Sequence, residues 1–173
     1  MALALRDAHA LTPERIDRIE VETYQVALDV TGNFAPTTPF ECKFSLPYVV
    51  AHALCHGAVR LNAFEGDRLQ DPAIRALMQR LDLRADAQAS ADFPGKRSAR
   101  VRIATTDGQR HEQFTPFRQG DPEAPLSDAQ IDAKFVELAA PVLGAAACDR
   151  LLGQLWRLDT LNVRELQLNR AQA

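Results

Sequence analysis

The sequence predicts an α+β fold, in which an antiparallel sheet of about four strands has helices packed on one face. Residues 18–23 alternate apolar and charged side chains, as a half-buried strand does. Three more alternating runs follow one another in the middle of the chain, with a tight turn between the last two. Helical periodicity lies before and after these three runs, so helices and strands are segregated along the sequence.

The first half of the chain predicts one single-turn helix, one strand and one longer helix. Thr12-Pro13 is a helix-start signal, with Thr as N-cap and Pro at the first helical position. Residues 31–41 contain a glycine and two prolines and predict a long loop. Residues 44–56 form an apolar run that predicts a helix, which Gly57 ends as a C-cap.

The middle of the chain changes from helical to strand periodicity. Asp71-Pro72 starts a helix whose apolar residues are three and four positions apart. Apolar and polar residues then alternate over residues 81–85, 101–105 and 111–115. Asp107-Gly108 marks a tight hairpin between the last two of these strands.

The last part of the chain is predicted to be helical. Residues 117–126 are a loop, and Ser127-Asp128 caps a helix that Pro141 and Gly144 end. A closing helix pair is predicted on Leu151, Leu152, Leu155 and Leu158, and then on Val163, Leu166 and Leu168.

Composition excludes several classes of protein. The 173 residues carry 20 basic and 23 acidic side chains, and the basic face of a nucleic-acid-binding protein is absent. No stretch is long and apolar enough to span a membrane. Three cysteines without a CxxC pair favour a reduced, cytoplasmic compartment. No repeat or low-complexity linker divides the chain, so we expect a single domain over residues 1–173.

The first residues of the chain predict that a preceding part of a larger protein is missing. Residues 2–11 are typical of the last turns of a helix whose beginning is absent, and only Leu3, Leu5 and Ala8 offer a packing face. We expect no independent element before Thr12, so the chain resembles the back part of a larger protein.

Only one pair of residues in the sequence has a spacing typical of metal ligands. His52 and His56 are four residues apart on the predicted helix, with Cys55 beside them. Two imidazoles at this spacing can bind a metal, but a site needs a third and a fourth ligand, and none presents itself. We therefore expect no metal, and an ordinary helix with one histidine near its polar end is the favoured interpretation.

A tyrosine shares the helix face of the first histidine. Tyr48 lies four residues before His52, and the two side chains together can transfer protons or hold a carboxylate. Alternatively, the ring of Tyr48 packs in the core and its hydroxyl binds a backbone partner, which helix position alone favours. Lys43, Arg60 and Arg68 are candidates to neutralise an anionic substrate, or else solvated surface charges.

Three segments carry a family resemblance. FECKFSLPYVVAHALCHGAVRLNAFEGDRLQDPAIRALMQRL, residues 40–81, strongly resembles the C-terminal domain of the MmgE/PrpD family in its KFSLPYVVA-type helix start and its RLQDP turn. DGQRHEQFTPFRQGDPEAPLSDAQIDAKF, residues 107–135, is similar to the hairpin, the GDP-x-x-PLS turn and the helix of that family. LLGQLWRLDTLNVREL, residues 151–166, resembles its closing helices.

The resemblance implies an activity. MmgE/PrpD proteins are metal-independent lyases and isomerases of polycarboxylic acids, namely 2-methylcitrate dehydratase, cis-aconitate decarboxylase and iminodisuccinate epimerase. A large all-helical N-terminal domain precedes their smaller α+β domain, and the active site lies in the cleft between the two. Most catalytic residues of the family belong to the helical part, which we expect to be missing from this chain. The resemblance therefore implies a chain that needs no cofactor and is inactive until a helical domain joins it, in cis or as a separate chain.

The resemblance also carries over site residues. The tyrosine of the KFSLPYVVA-type motif lines the cleft in the decarboxylases, which makes Tyr48 the expected catalytic residue and reverses the preference for packing. Lys43 and Ser45 lie near the same cleft as substrate-binding candidates, with surface charge and helix cap as their alternatives. His52 is the third substrate-binding candidate. It replaces a small or apolar residue of the family, so it either tunes substrate choice or has no functional role.

Two functions remain open from the sequence. The first is a domain of a dehydratase-like enzyme, with a small polycarboxylate as substrate and a homodimer as one expected assembly. The second is a stand-alone α+β module that binds or dimerises without chemistry. A lost helical domain predicts an exposed apolar patch on residues 33–40, the start of the helix at Phe44, and Leu3 and Leu5. We expect Phe34, Phe40 and Tyr48 to contribute most of its area.

Overall fold

A four-stranded sheet is the centre of the fold. The computed structural model describes residues 1–162, 164 and 166. Its strands are β1 (Ile16–Thr23), β2 (Leu81–Ala85), β3 (Ala99–Thr105) and β4 (Arg110–Thr115), in the sheet order β2-β1-β3-β4. The prediction of an α+β fold with four strands is confirmed.

One pair of strands departs from the antiparallel expectation. β1 pairs with β3, and β3 with β4, in antiparallel fashion, but β1 and β2 are parallel, with Ile19 opposite Leu81. A parallel neighbour needs a crossover connection that returns the chain to the same end of the sheet. The helices between β1 and β2 provide that connection, so the prediction of a wholly antiparallel sheet is wrong for this pair.

Eight α-helices complete the described elements. In the first part of the chain they are α1 (Ala2–His9), α2 (Gln25–Thr31), α3 (Pro39–Lys43), α4 (Leu46–His56), α5 (Pro72–Met78) and α6 (Ala87–Asp92). Short 3₁₀ helices cover Pro13–Arg15, Leu61–Phe64 and Gly66–Gln70. In the last part, α7 (Asp128–Leu143) and α8 (Ala145–Leu155) follow.

Local capping signals fix the helices that the sequence predicts best. Ser45 caps α4 at its N-terminus, and Gly57 ends it with a φ of 73°, a left-handed conformation that favours glycine. The Asp71 side chain accepts a hydrogen bond from the backbone N–H of Ala73 at the start of α5. The helix predicted over residues 44–56 is confirmed with its start two residues later, at Leu46, and the start at Asp71-Pro72 is confirmed.

The first helix and the long loop differ from expectation. The helical turns predicted within residues 2–11 are confirmed by α1, but the expectation that they form no element of their own is wrong, because α1 buries Leu5 in the core and Leu11 after it is also buried. The predicted loop over residues 31–41 is shortened by α3, which starts with a reciprocal cap between Thr38 and Glu41.

The core lies on one face of the sheet. Ile19 and Val21 of β1 and Ile103 of β3 are buried there, in one cluster with the inner faces of α4 and α5. The opposite face carries the charged residues that alternate with them. Tyr48, in the first turn of α4, belongs to this cluster, so that turn packs against the core.

The chain divides into two compact units, Met1–Arg118 and Gln119–Ala173. The prediction of a single domain over residues 1–173 stays a prediction. In the second unit α7 and α8 pack together, and Pro141 lies inside α7 rather than at its end. The closing helix predicted on Val163, Leu166 and Leu168 falls mostly outside the described residues. No described helix is long and apolar enough to cross a bilayer.

Candidate functional site

The candidate site is built on the first turn of α4, where Ser45 fixes the backbone. Its hydroxyl accepts a hydrogen bond from the backbone N–H of Tyr48 at 3.1 Å and donates one to the carbonyl of Asn33 at 2.6 Å. Ser45 is fully buried, and these two bonds use its donor and one acceptor position. It is therefore a helix cap that ties the preceding loop to α4, and its substrate-binding role stays a prediction.

Tyr48 points from this turn into the interior. It has no exposed surface, and its hydroxyl lies 2.6 Å from the carbonyl oxygen of Ala63 and 3.1 Å from that of Arg68. Burial raises the pKa of Tyr48 to about 12, so the phenol is neutral and acts as a hydrogen-bond donor. This geometry is the packing alternative left open by the sequence, and the catalytic role of Tyr48 stays a prediction.

Arg75 completes the surroundings of Tyr48 and was missed by sequence reasoning. Its guanidinium carbon lies 5.8 Å from the centre of the Tyr48 ring. It donates hydrogen bonds to the carbonyls of Pro36, at 2.7 Å, and Leu69. It thus joins the loop before α3 to the 3₁₀ segment over Tyr48. The signal was available, because Arg75 is the one charged residue among the seven of α5.

His52 lies one turn further along α4 and is also buried. Only 3% of it is exposed, and its Nδ1 lies 2.9 Å from the carbonyl oxygen of Ala58. A carbonyl only accepts, so Nδ1 carries the hydrogen and Nε2 presents a lone pair. Burial lowers the pKa of His52, and Nε2 has no hydrogen-bond partner in the described part of the chain.

His56 lies at the end of α4, one turn after His52, and its side chain is paired with a carboxylate. Its ring centre is 4.8 Å from that of His52, and its Nε2 lies 3.0 Å from Oδ2 of Asp71. The guanidinium of Arg68 approaches the same carboxylate at 3.3 Å. Burial by itself raises the pKa of Asp71, but the hydrogen bonds from Ala73 and His56 outweigh it and leave that pKa below its usual value.

The histidine pair does not extend to a metal-ligand set in the described residues. Across residues 1–162, 164 and 166, no group of three His, Cys, Asp or Glu side chains is arranged to hold a metal ion. The Arg68 guanidinium lies 3.1 Å from Nε2 of His56, and a fixed positive charge at this distance opposes a cation.

Lys43 reaches the edge of the same region. Its ammonium lies 5.8 Å from the centre of the Phe64 ring, a cation–π contact, and that ring is 6.2 Å from the Tyr48 ring. Phe64 therefore stands between Lys43 and Tyr48. Lys43 and Ser45 precede α4, Tyr48 lies in its first turn and His52 lies one turn further along. Of these four residues only Lys43 is exposed.

An aromatic surface lies beside the start of α4. It consists of Phe34, Phe40 and Phe44, which are 41%, 69% and 46% exposed, and the last two rings are 4.9 Å apart. The expected exposure of Phe34 and Phe40 is confirmed. The expected contribution of Tyr48 and Leu5 is wrong, because both side chains pack inside the core.

The comparison with protein families gives a match over most of the chain. The model of the MmgE/PrpD C-terminal domain matches residues 1–158, which is nearly all of the chain. No curated protein matches the sequence. Because the family model covers far more than half of its length, the chain belongs to the MmgE/PrpD C-terminal domain family.

Proposed function

We propose that the chain is the C-terminal domain of a metal-independent, cytoplasmic MmgE/PrpD-type lyase or isomerase, similar to 2-methylcitrate dehydratase. The observation that carries the proposal is the family match over residues 1–158. Its substrate is a small polycarboxylic acid, and the reaction removes or adds a proton next to a carboxylate. The domain is inactive until an all-helical domain, in cis or on a separate chain, completes the cleft.

The aromatic surface supports such a partner. Contiguous exposed apolar side chains mark surfaces that another protein or domain covers. Phe34, Phe40 and Phe44 flank the start of α4, the helix that carries Tyr48. A helical domain placed against this surface would form a cleft next to the candidate residues.

In this proposal Tyr48 donates a hydrogen bond or a proton to a substrate oxygen. A pKa of about 12 makes the neutral phenol a donor rather than a base at neutral pH. Because its hydroxyl is bonded to Ala63, this role requires the segment over residues 61–70 to move when the helical domain joins. Lys43 holds a substrate carboxylate, Ser45 acts at the same cleft, and Nε2 of His52 accepts a hydrogen bond from substrate.

Turnover assays test the proposal. The purified 173-residue chain is assayed with 2-methylcitrate and with cis-aconitate, alone and together with a helical domain of the family. We expect no turnover by the chain alone, because most positioned acid–base groups are absent, and turnover after the helical domain is added. Turnover by the chain alone contradicts the need for a partner.

The alternative is a non-catalytic module that binds or dimerises, and the burial of Tyr48 favours it. An adjacent or in-frame sequence that encodes the helical domain supports the enzyme. An isolated gene, together with a chain that stays inactive when a helical domain is bound, supports the module.

A further inference from the structure

The charged face of the sheet, opposite the core, is mostly a lattice of ion pairs. Arg102 on β3 is its centre, since its guanidinium donates to Glu20 at 2.5 Å, to Glu22 at 2.6 Å and to Glu112 at 2.6 Å. Arg84 on β2 adds a contact to Glu20 at 3.2 Å. These arginines are held by carboxylates, as expected on a solvated antiparallel face.

One row of cross-strand neighbours on this face departs from the pattern of arginines opposite glutamates. The strand register places Arg18 of β1 opposite Ala104 of β3, and Ala104 opposite Arg110 of β4. Two arginines therefore flank an alanine, with their backbones two strand spacings, or roughly 10 Å, apart. The short side chain of Ala104 leaves the space between them unfilled. A pocket of about 450 Å³ opens there, with both arginines and Ala104 in its lining.

The backbone is irregular at the same row. The pairing of β1 with β3 shifts between Ile16 and Arg18, so that Asp17 is an extra residue on β1. Such a bulge bends the strand and redirects the side chain that follows it. The irregularity thus falls at Arg18, on one wall of the pocket.

The two arginines of this row are available to a ligand. Arg110 is exposed, and its side chain makes no ion pair or hydrogen bond within residues 1–162, 164 and 166. Arg18 pairs with Asp82 at 3.1 Å, but 58% of the Arg18 side chain is exposed, and an exposed ion pair of this kind is weak. An anion can therefore compete for Arg18 and meets no competitor at Arg110.

The pocket is lined mainly by arginines, on a chain of net charge −3. Its lining contains four arginines and two glutamates, and two further carboxylates pair with it from outside: Asp82 with Arg18 and Arg84, and Glu22 with Arg102. Among the described residues, the positive charge that these carboxylates leave unpaired in the pocket is that of Arg110. Guanidinium groups bind oxyanions through paired N–H donors, and two groups that face each other across a gap suit a ligand with two negative charges.

We propose that this pocket binds a small dianionic oxyanion, of the phosphate or dicarboxylate class, between Arg18 and Arg110 above Ala104. The site lies on the charged face, and the inference does not rest on the proposed enzymatic function. The ion pairs of Arg84 and Arg102 hold the lining in place, while Arg110 supplies unpaired donors and Arg18 supplies donors that are shared with the exposed Asp82.

Isothermal titration calorimetry on the full chain tests the site with two probes, inorganic phosphate and succinate. We expect saturable binding of at least one probe at about 0.15 M NaCl, a salt concentration at which long-range attraction between exposed charges is largely screened. Arg110→Gln should weaken it by about ten- to hundredfold, the effect of one lost hydrogen bond between charged groups. Ala104→Leu, which fills the gap, should weaken it about as much.

The control is Arg97→Gln, which makes the same change of charge outside the pocket, where Arg97 stands 5.7 Å over the Phe93 ring. It should bind as the parent chain does. Arg18→Gln changes an exposed side chain and provides a further variant if Ala104→Leu unfolds, which circular dichroism detects.

Binding of phosphate alone identifies a single-centre anion, binding of succinate alone identifies a dicarboxylate, and either supports the site. The proposal is overturned if neither probe gives saturable heat, or if Arg110→Gln and Arg97→Gln weaken binding equally.

Discussion

The hydroxyl of Tyr48 donates a hydrogen bond to the carbonyl oxygen of Ala63 across 2.6 Å. This contact joins the first turn of α4 to the 3₁₀ helix at Leu61–Phe64. Tyr48 is fully buried, so its hydroxyl bonds to the chain instead of water. A buried polar group that loses its partner costs free energy, and the pair therefore fastens the segment over residues 61–70 to α4.

The first prediction concerns stability. Tyr48→Phe keeps the ring and leaves the Ala63 carbonyl without its donor, so the free energy of unfolding should fall by about 1–2 kcal/mol. Urea denaturation of the isolated chain measures it. Tyr24→Phe is the control, since the Tyr24 ring stacks on Phe93 at 4.7 Å and its hydroxyl has no partner among the described residues. Equal losses in the two variants would contradict the prediction.

The parts of the fold that could be predicted have local signals. Alternation with period two marks each strand, and the hairpin turn at Asp107-Gly108 has Gly108 at a φ of 84°. The parallel pairing of β1 with β2 has no such signal, because it depends on the path of the whole connection. α6 was missed although Asp86 caps it, with the Ala89 N–H bonded to its side chain at 2.7 Å.

The candidate site was less predictable than the fold. The position of Tyr48 on α4 follows from the Ser45 cap and helix geometry. Its partners at Ala63 and Arg68 are backbone carbonyls, which every residue possesses and no motif identifies. Whether a helix residue faces a cleft or the core is decided by segments distant in the sequence.

The second prediction concerns catalysis, and it rests on the proposed function. With the helical domain present, Tyr48→Phe should lower kcat/KM by roughly ten- to hundredfold, because a charge-assisted hydrogen bond to a substrate oxygen is lost. Tyr24→Phe should retain the parent value. Thermal unfolding establishes that both variants are folded at the assay temperature. Parent kinetics in a folded Tyr48→Phe enzyme would return this residue to a packing role alone.

The third prediction is a loss of stability in mild acid that depends on His52. Burial lowers its pKa in the folded chain below the unfolded value of about 6.5, so the unfolded state binds more protons below that pH. The stabilisation is complete above about pH 6.5 and is lost as the pH falls toward the folded pKa.

Urea denaturation at about pH 7.5 and about pH 5.5 measures this loss. His52→Gln should reduce the difference between the two pH values. His9→Gln, the control at an exposed position, should reduce this difference less than His52→Gln does. A pH dependence that is the same in the parent and in His52→Gln would show that the buried imidazole is not its source.

The fourth prediction separates the two roles of Asp71. One carboxylate oxygen caps α5 by accepting from the Ala73 N–H at 2.9 Å, and the other pairs with His56 at 3.0 Å. Asp71→Ala removes both and should cost about 1–2 kcal/mol, whereas Asp71→Asn keeps a capping oxygen and should cost less. Urea denaturation at neutral pH ranks the variants, with the exposed Asp67→Asn as control.

The contribution of Asp71 to stability also depends on pH, because the folded chain favours the charged form of its carboxylate. Because its pKa is lowered in the folded chain, its stabilisation is present above the unfolded value of about 3.9 and is lost as the pH falls below it. Asp71→Asn should therefore reduce the loss of unfolding free energy as the pH falls through this range. A loss as large as that of the parent chain would show that other groups cause the acid sensitivity.

The last prediction tests the aromatic surface as the contact for a helical domain. Phe40 is 69% exposed, so Phe40→Ser should change the free energy of unfolding by less than about 0.5 kcal/mol. The same substitution should weaken binding of the helical domain at least about tenfold, because a large aromatic side chain at the centre of an interface contributes much of its affinity. Phe114→Ser is the matched control, since Phe114 is 50% exposed and its ring lies under Arg100 on the charged face. Calorimetric titration with the helical domain compares the three chains. If Phe40→Ser binds as the parent does, or no more weakly than Phe114→Ser, the helical domain does not dock on this surface.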